Sequence, residues 1–326
     1  MNETGGSQQR SAARRPPFRR WGSLLSAFAA LAGIAVYLWL QRQELLSIRL
    51  EAPAYLLLCA LGMLVNISAN GLVYLLVFRK LGARVSFAES FALTALSIAA
   101  NLFLPLRGGA GLRAVYLKRV HDLRYTRFAA SLIVFYVLSA LVASTGTLMA
   151  ASWLVIVEGR SGLEPILLVA AFCLIGSAAT FYLPRLQRRG TWIADALAGI
   201  SEGWHTLREG SGTLVRLLPV TALQTMGLLV SLWGAAAAIG VRLSAIEILM
   251  VGTLGVLSTL ISLTPGSLGI YEATVGFAVT TVGMGATEGV VAALVSRTVL
   301  MLLLAVIAPL ATLLLFRRQD SLPSGH

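Results

Sequence analysis

Six stretches of this chain run for roughly twenty residues or more almost without charge, the length a helix needs to cross a hydrocarbon core about 30 Å thick. They are Trp21–Leu40, Pro53–Phe78, Phe128–Val157, Pro165–Leu183, Leu214–Ile239 and Gly289–Phe316. In hydrocarbon every backbone N–H and C=O must be satisfied within the segment, so such runs can only be α-helices. With 57% of the 326 residues hydrophobic and 12% charged, little sequence is left for a soluble domain. The fold class is therefore an all-α polytopic membrane protein.

Two further apolar stretches are interrupted. The first reads Asn101-Leu-Phe-Leu-Pro105-Leu-Arg107-Gly108-Gly109-Ala-Gly111-Leu-Arg113, the second Ser262-Leu-Thr-Pro265-Gly266-Ser-Leu-Gly269-Ile-Tyr-Glu272. A helix broken at membrane depth is tolerated only where it is buried in protein or lines a polar cavity, so each break marks a candidate site. Setting Pro105 on Pro265 places Gly109 opposite Gly269.

The net charge of +12 is distributed between apolar spans rather than gathered on one face, the pattern of cytoplasmic loops beside anionic lipid. Nucleic-acid binding is excluded on that ground. Both the stretch ending at Arg79, Lys80 and Arg84 and the strongly basic segment from Arg107 to Arg127 read as cytoplasmic, although Phe87–Leu104 lies between them. A re-entrant pair that enters, breaks at Pro105–Gly111 and returns reconciles the two. The remaining spans then require a second re-entrant pair, broken at Pro265–Gly269, from the external face. The expected topology is six full crossings and two broken helix pairs in inverted arrangement, with eight plain crossings as the alternative. Both termini fall in the cytoplasm of a bacterial inner membrane. Residues 1–20 form a basic tail, 21–317 one membrane domain, and 318–326 a second tail. Within the domain, the spacing of Ile193, Leu197, Ile200, Trp204 and Leu207 predicts an amphipathic surface helix over 191–209.

The glycines of the first break let backbone approach a ligand, and a helix restarting after them offers free N–H groups to a phosphate. Arg107 and Arg113 add guanidinium groups suited to phosphate oxygens. Glu272 and Arg297 are lone charges within apolar sequence and are expected to pair. Asn66 and Asn70 lie one turn apart, as do Ser97 and Asn101, and either hydrogen-bond between helices or line a headgroup path. The two cysteines and three histidines are scattered, so no metal or other cofactor is expected.

In Asn101, Leu104-Pro105-x-Arg107-x-Gly109, Arg113, Pro265-Gly266-x-x-Gly269-x-x-Glu272 and Arg297, the chain resembles the flippase-like membrane family typified by the transmembrane part of lysylphosphatidylglycerol synthase. The resemblance implies translocation of an anionic or modified phospholipid, or a polyprenyl-linked lipid, between leaflets. It implies a substrate site built from Asn101, Pro105, Arg107, Gly108, Gly109, Arg113, Pro265, Gly266, Gly269, Glu272 and Arg297. Its ligands are membrane lipid headgroups, and a second copy of the chain or a lipid-biosynthesis enzyme are the protein partners such a role admits. The lysyl-transferring domain of bifunctional relatives is expected to be absent, so the chain is read as a translocator rather than an enzyme. A membrane-embedded lipid-modifying transferase with Glu272 as base, or a non-catalytic partner of one, are the alternative readings.

Overall fold

A computed structural model describes residues 49–104, 108–187, 190–209, 212–261 and 264–320. Among them are ten α-helices and two 3₁₀ turns. Five helices are long and apolar enough to cross a membrane: α1 (Tyr55–Lys80), α4 (Tyr125–Ile156), α5 (Glu164–Ala179, prolonged by a 3₁₀ turn to Tyr182), α7 (Thr213–Ala238) and α10 (Ala286–Asp320). They coincide with five of the six expected spans; Trp21–Leu40 lies outside the described residues. Shorter helices complete the chain: α2 (Phe87–Phe103), α3 (Gly109–His121), α6 (Trp192–Arg208), α8 (Ala245–Leu260) and α9 (Ile270–Thr280).

The order α1–α2–break–α3–α4 recurs as α7–α8–break–α9–α10, and α7 and α8 begin at the same sequence offset from α1 and α2. Local chemistry repeats too. Ser86 and Ser244 each start a short helix with a reciprocal capping box, in which the hydroxyl accepts from the N–H of Glu89 or Glu247 and that carboxylate accepts from the serine N–H. The two halves run in opposite directions. Gly62 on α1 packs on Gly227 and Ser231 of α7, Gly234 packs on Tyr55 and Cys59, and the Ala238 carbonyl accepts from Glu51 N at 3.0 Å. Small residues let these backbones approach closely, and Asn66 Nδ2 donating to the Gln224 carbonyl at 3.0 Å ties them across the seam. The fourth helix of each half packs on the second helix of the other, α4 on α8 and α10 on α2.

Each broken pair is a hairpin. Glu89, at the start of α2, meets Tyr116 and His121 near the end of α3, so the pair ends where it began. In the second, Gly255 of α8 faces Tyr271 and Val275 of α9, and the flanking segments 239–242 and 283–288 share one depression. Because α1 and α7 are antiparallel, the two hairpin mouths lie at opposite ends of the molecule. At the first mouth, Lys118 one turn back holds the Asp122 carboxyl below the usual carboxylate range by hydrogen bonding to it.

Helix α6 lies across α4 through small residues, Gly199 against Thr126 and Gly203 against Ala130. Of the apolar stripe expected there, Trp204 and Leu207 are buried while Ile193 and Leu197 stay exposed, because close approach favours the glycines. Outward-facing Leu57, Phe172, Ile175, Val306 and Leu313 leave an apolar exterior, and the interior is itself mostly apolar, with a smaller set of buried polar residues.

The α1–α7 seam makes a stability prediction. A Cβ on Gly227 lies 2.6 Å from Asn66 N and 2.7 Å from the Gly62 carbonyl, whereas one on Gly176 of α5 meets nothing within 4 Å. Gly227→Ala is expected to destabilise the detergent-purified protein by about 1–3 kcal/mol, read as a lowered melting temperature, with Gly176→Ala leaving it unchanged.

Candidate functional site

The first break is held by Asn101, whose Oδ1 accepts from Gly109 N at 2.8 Å and so caps the restarting helix α3. A Cβ on Gly109 would overlap the Ser97 carbonyl and stand 2.7 Å from Asn101 Oδ1, so glycine is what lets α3 begin against α2. The second break turns through Gly266 and Ser267, both left-handed at φ 57° and 55°, and Gly269 at φ 81°. There Thr264 donates to the Leu268 carbonyl at 2.8 Å, and Gly269 N donates to Glu272 Oε2 at 2.8 Å, starting α9. Gly266 packs against Leu102 of α2, so the second break meets the end of the helix that leads into the first.

A cavity of about 240 Å³ opens where they meet. The first pair contributes Ser97, Asn101, Ala110 and Arg113, the second Val256, Thr259, Thr264, Gly266 and Ser267. Helix α1 adds Asn66, Asn70 and Tyr74, α7 adds Gln224, and α4 adds Tyr136 and Ser139. A second chamber of about 130 Å³ shares Leu102, Leu228, Val256, Thr259, Gly266 and Leu300 with the first, and carries Tyr271, Ser296 and Arg297.

The two arginines differ. Arg113 is buried at 4% exposure with its guanidinium 3.7 Å from the Tyr74 ring centroid. Among the described residues no carboxylate stands within ion-pair distance of it, and its Nε has no hydrogen-bond partner. Asn70 Oδ1, Ser139 Oγ and Gln224 Oε1, also buried on the cavity wall, lack partners as well. Unsatisfied polar atoms in this number cost free energy unless water or a ligand engages them. Arg297 instead pairs with Glu272, Nε to Oε1 at 2.7 Å, both side chains buried. Its Nη1 is unpartnered.

A family model described as the lysylphosphatidylglycerol synthase TM region matches residues 23–315. The chain belongs to that family. Among curated proteins none matches it. Membership in the lysylphosphatidylglycerol synthase TM family makes this a membrane protein related to lipid modification.

In this family member the expected Glu272–Arg297 pair is present. Of the expected site residues, Asn101, Arg113 and Gly266 line the main cavity, Arg297 and Gly266 the smaller chamber. Gly109 sits under the capping contact, Gly108 packs on Leu104, and Gly269 and Glu272 open α9 without reaching the cavity wall. Pro265 begins the 3₁₀ turn of the second break, while Pro105 and Arg107 lie outside the described residues. All four of Asn66, Asn70, Ser97 and Asn101 face the cavity.

Sequence reasoning missed Tyr74, Tyr136, Ser139 and Gln224, and it missed a second polar cluster. Glu89, fully buried, accepts from Tyr116 Oη at 2.9 Å and contacts His121 Nε2 at 2.7 Å. Its counterpart Glu247 accepts from Arg160 Nη2 at 2.7 Å. The repeated Ser-x-x-Glu at 86 and 244 is the signal that points to both carboxylates.

Breaking the buried ion pair from one side strands a charge. Arg297→Met is expected to cost about 3–5 kcal/mol, and the double variant Glu272→Gln/Arg297→Met less than Arg297→Met alone. Thermal unfolding of the purified variants in detergent checks the order.

Proposed function

We propose that the protein translocates an anionic or modified phospholipid, or a polyprenyl-linked lipid, between the leaflets of the inner membrane. The observation that carries this reading is Arg113: a buried guanidinium with no carboxylate at ion-pair distance among the described residues, in a partly polar cavity where two oppositely directed hairpins meet. A charge in that position calls for an anion from outside the chain, and a lipid phosphate accepting from the guanidinium supplies it.

Helices α2 and α8, at 17 and 16 residues, rise about 25 Å. That reaches deep into a bilayer without crossing it, which suits re-entrant pairs. Arg79, Lys80, Arg84, Lys118, Arg119, Arg124 and Arg127 cluster at the first mouth, while Glu51, Glu158, Glu164 and Glu288 sit among Arg49, Arg160 and Arg242 at the other end. The excess of basic residues supports reading the first mouth as cytoplasmic and, with Trp21–Leu40 as the expected first crossing, both termini as well. In inverted-repeat transporters discontinuous helices frame a site near the midplane, and rocking of one half against the other opens it to either side. The cavity shared by both breaks is placed for that. A lipid-modifying transferase with Glu272 as base is disfavoured, since that carboxylate is held by Arg297 and by Gly269 N.

The test is leaflet exchange of fluorescent phosphatidylglycerol in proteoliposomes. Exchange is expected with the wild-type chain, to fall at least about tenfold in Arg113→Gln, the equivalent of 1.4 kcal/mol, and to persist in part in Arg113→Lys, which keeps the charge without the fork. Unchanged exchange in Arg113→Gln, or none above empty liposomes with any of several headgroups, contradicts the proposal.

A further inference from the structure

We infer that this cavity accepts a phosphate whose headgroup is otherwise uncharged and rich in hydroxyls, and rejects headgroups that carry an ammonium group. The inference rests on the reading of the cavity as a lipid-headgroup site and adds to it the class of lipid.

Charge comes first. No aspartate or glutamate is among the described residues lining either chamber, whereas Arg113 lines one and Arg297 the other. The segments at the breaks outside the described residues, 105–107 and 262–263, contain an arginine and no acid. Glu272 is engaged by Arg297 and by the Gly269 N–H, and its side chain stands off the cavity wall. Glu89 is committed to Tyr116 and His121 at the hairpin mouth. An ammonium brought into the main chamber therefore meets a buried guanidinium and no counter-charge, in surroundings where water no longer screens the repulsion.

Cation–π contact is the other way to hold an ammonium. Of the aromatic rings on the main cavity wall, Tyr74 has the Arg113 guanidinium over it at 3.7 Å and Phe135 stacked on it at 5.2 Å, and Tyr136 meets Phe135 edge-on at 5.6 Å.

The uncharged wall fits hydroxyls. Asn70 Oδ1 and Gln224 Oε1 are unpartnered acceptors, and Ser139 Oγ can donate or accept. A hydroxyl group satisfies an amide oxygen with its proton and a serine with its lone pairs, and brings no charge that must be desolvated. A polyol phosphate such as phosphoglycerol thus meets both halves of the wall: the phosphate on Arg113 and the hydroxyls on Asn70, Ser139 and Gln224.

Three lipids with identical acyl chains separate the cases: phosphatidylglycerol with two hydroxyls and no ammonium, phosphatidylethanolamine with one ammonium, and lysylphosphatidylglycerol with two. Two readouts are taken on the full chain, thermal stabilisation in detergent for binding and leaflet exchange in proteoliposomes for transport. Phosphatidylglycerol is expected to stabilise at concentrations at least about tenfold lower than phosphatidylethanolamine, with lysylphosphatidylglycerol giving no shift, and exchange is expected to follow the same order. The isosteric Gln224→Glu places a carboxylate on the wall and is expected to narrow the gap between phosphatidylglycerol and phosphatidylethanolamine by about tenfold. Equal or stronger stabilisation by either ammonium lipid overturns the inference even if transport is intact. Selective stabilisation without exchange of any lipid upholds the selectivity and overturns the translocator reading. No stabilisation and no exchange with any of the three overturns both.

Discussion

A polypeptide backbone that leaves the helical path inside hydrocarbon must find hydrogen-bond partners in the protein, and the architecture of this molecule follows from that constraint. The described residues beside each break pack on the rest of the chain. Gly266 lies against Leu102, Asn101 caps Gly109, and the long helices α1 and α7 close the sides through glycine contacts. What enclosure leaves at the meeting point is a chamber with polar and apolar walls inside an apolar exterior. The inverted repeat is the economical way to build it, since one half's hairpin is walled by the other half's long helices.

Within that chamber the two halves are unlike. The second break carries its own counter-ion, because Glu272 both starts α9 and pairs with Arg297. The first break carries Arg113, stacked on Tyr74 with no carboxylate at ion-pair distance among the described residues. A symmetric scaffold thus holds one cation with a carboxylate partner and, among the described residues, one without, and the second is the group on which the proposed anionic ligand rests. The mouths differ in the same way: Glu89 is held by a histidine and a tyrosine, Glu247 by an arginine.

Much of the fold was legible in the sequence because the bilayer imposes length and composition on each span, and Pro105, Gly109, Pro265 and Gly269 announce the breaks directly. Glu272 and Arg297 could be paired on paper since each was alone in an apolar stretch. The rest of the site was hidden because it is assembled from distant segments. Nothing local distinguishes Gln224 or Ser139 from an ordinary polar residue that bonds to its neighbours, and Tyr74 reads as core until Arg113 is seen above it. His121 looked isolated in sequence and meets Glu89 only because the hairpin folds back. The surface helix shows the opposite error: its apolar stripe was read correctly as a pattern, yet Gly199 and Gly203 decided which face met the protein.

The central claim is that the two hairpins enter from opposite faces and meet inside. Labelling with a membrane-impermeant maleimide tests it most directly, in a Cys59→Ser/Cys173→Ala background with single substitutions Asp122→Cys and Ala286→Cys at the exposed far ends of the two hairpins. The account predicts that Asp122→Cys reacts only from the cytoplasmic side and Ala286→Cys only from the outside. Reaction of both from the same side would contradict it.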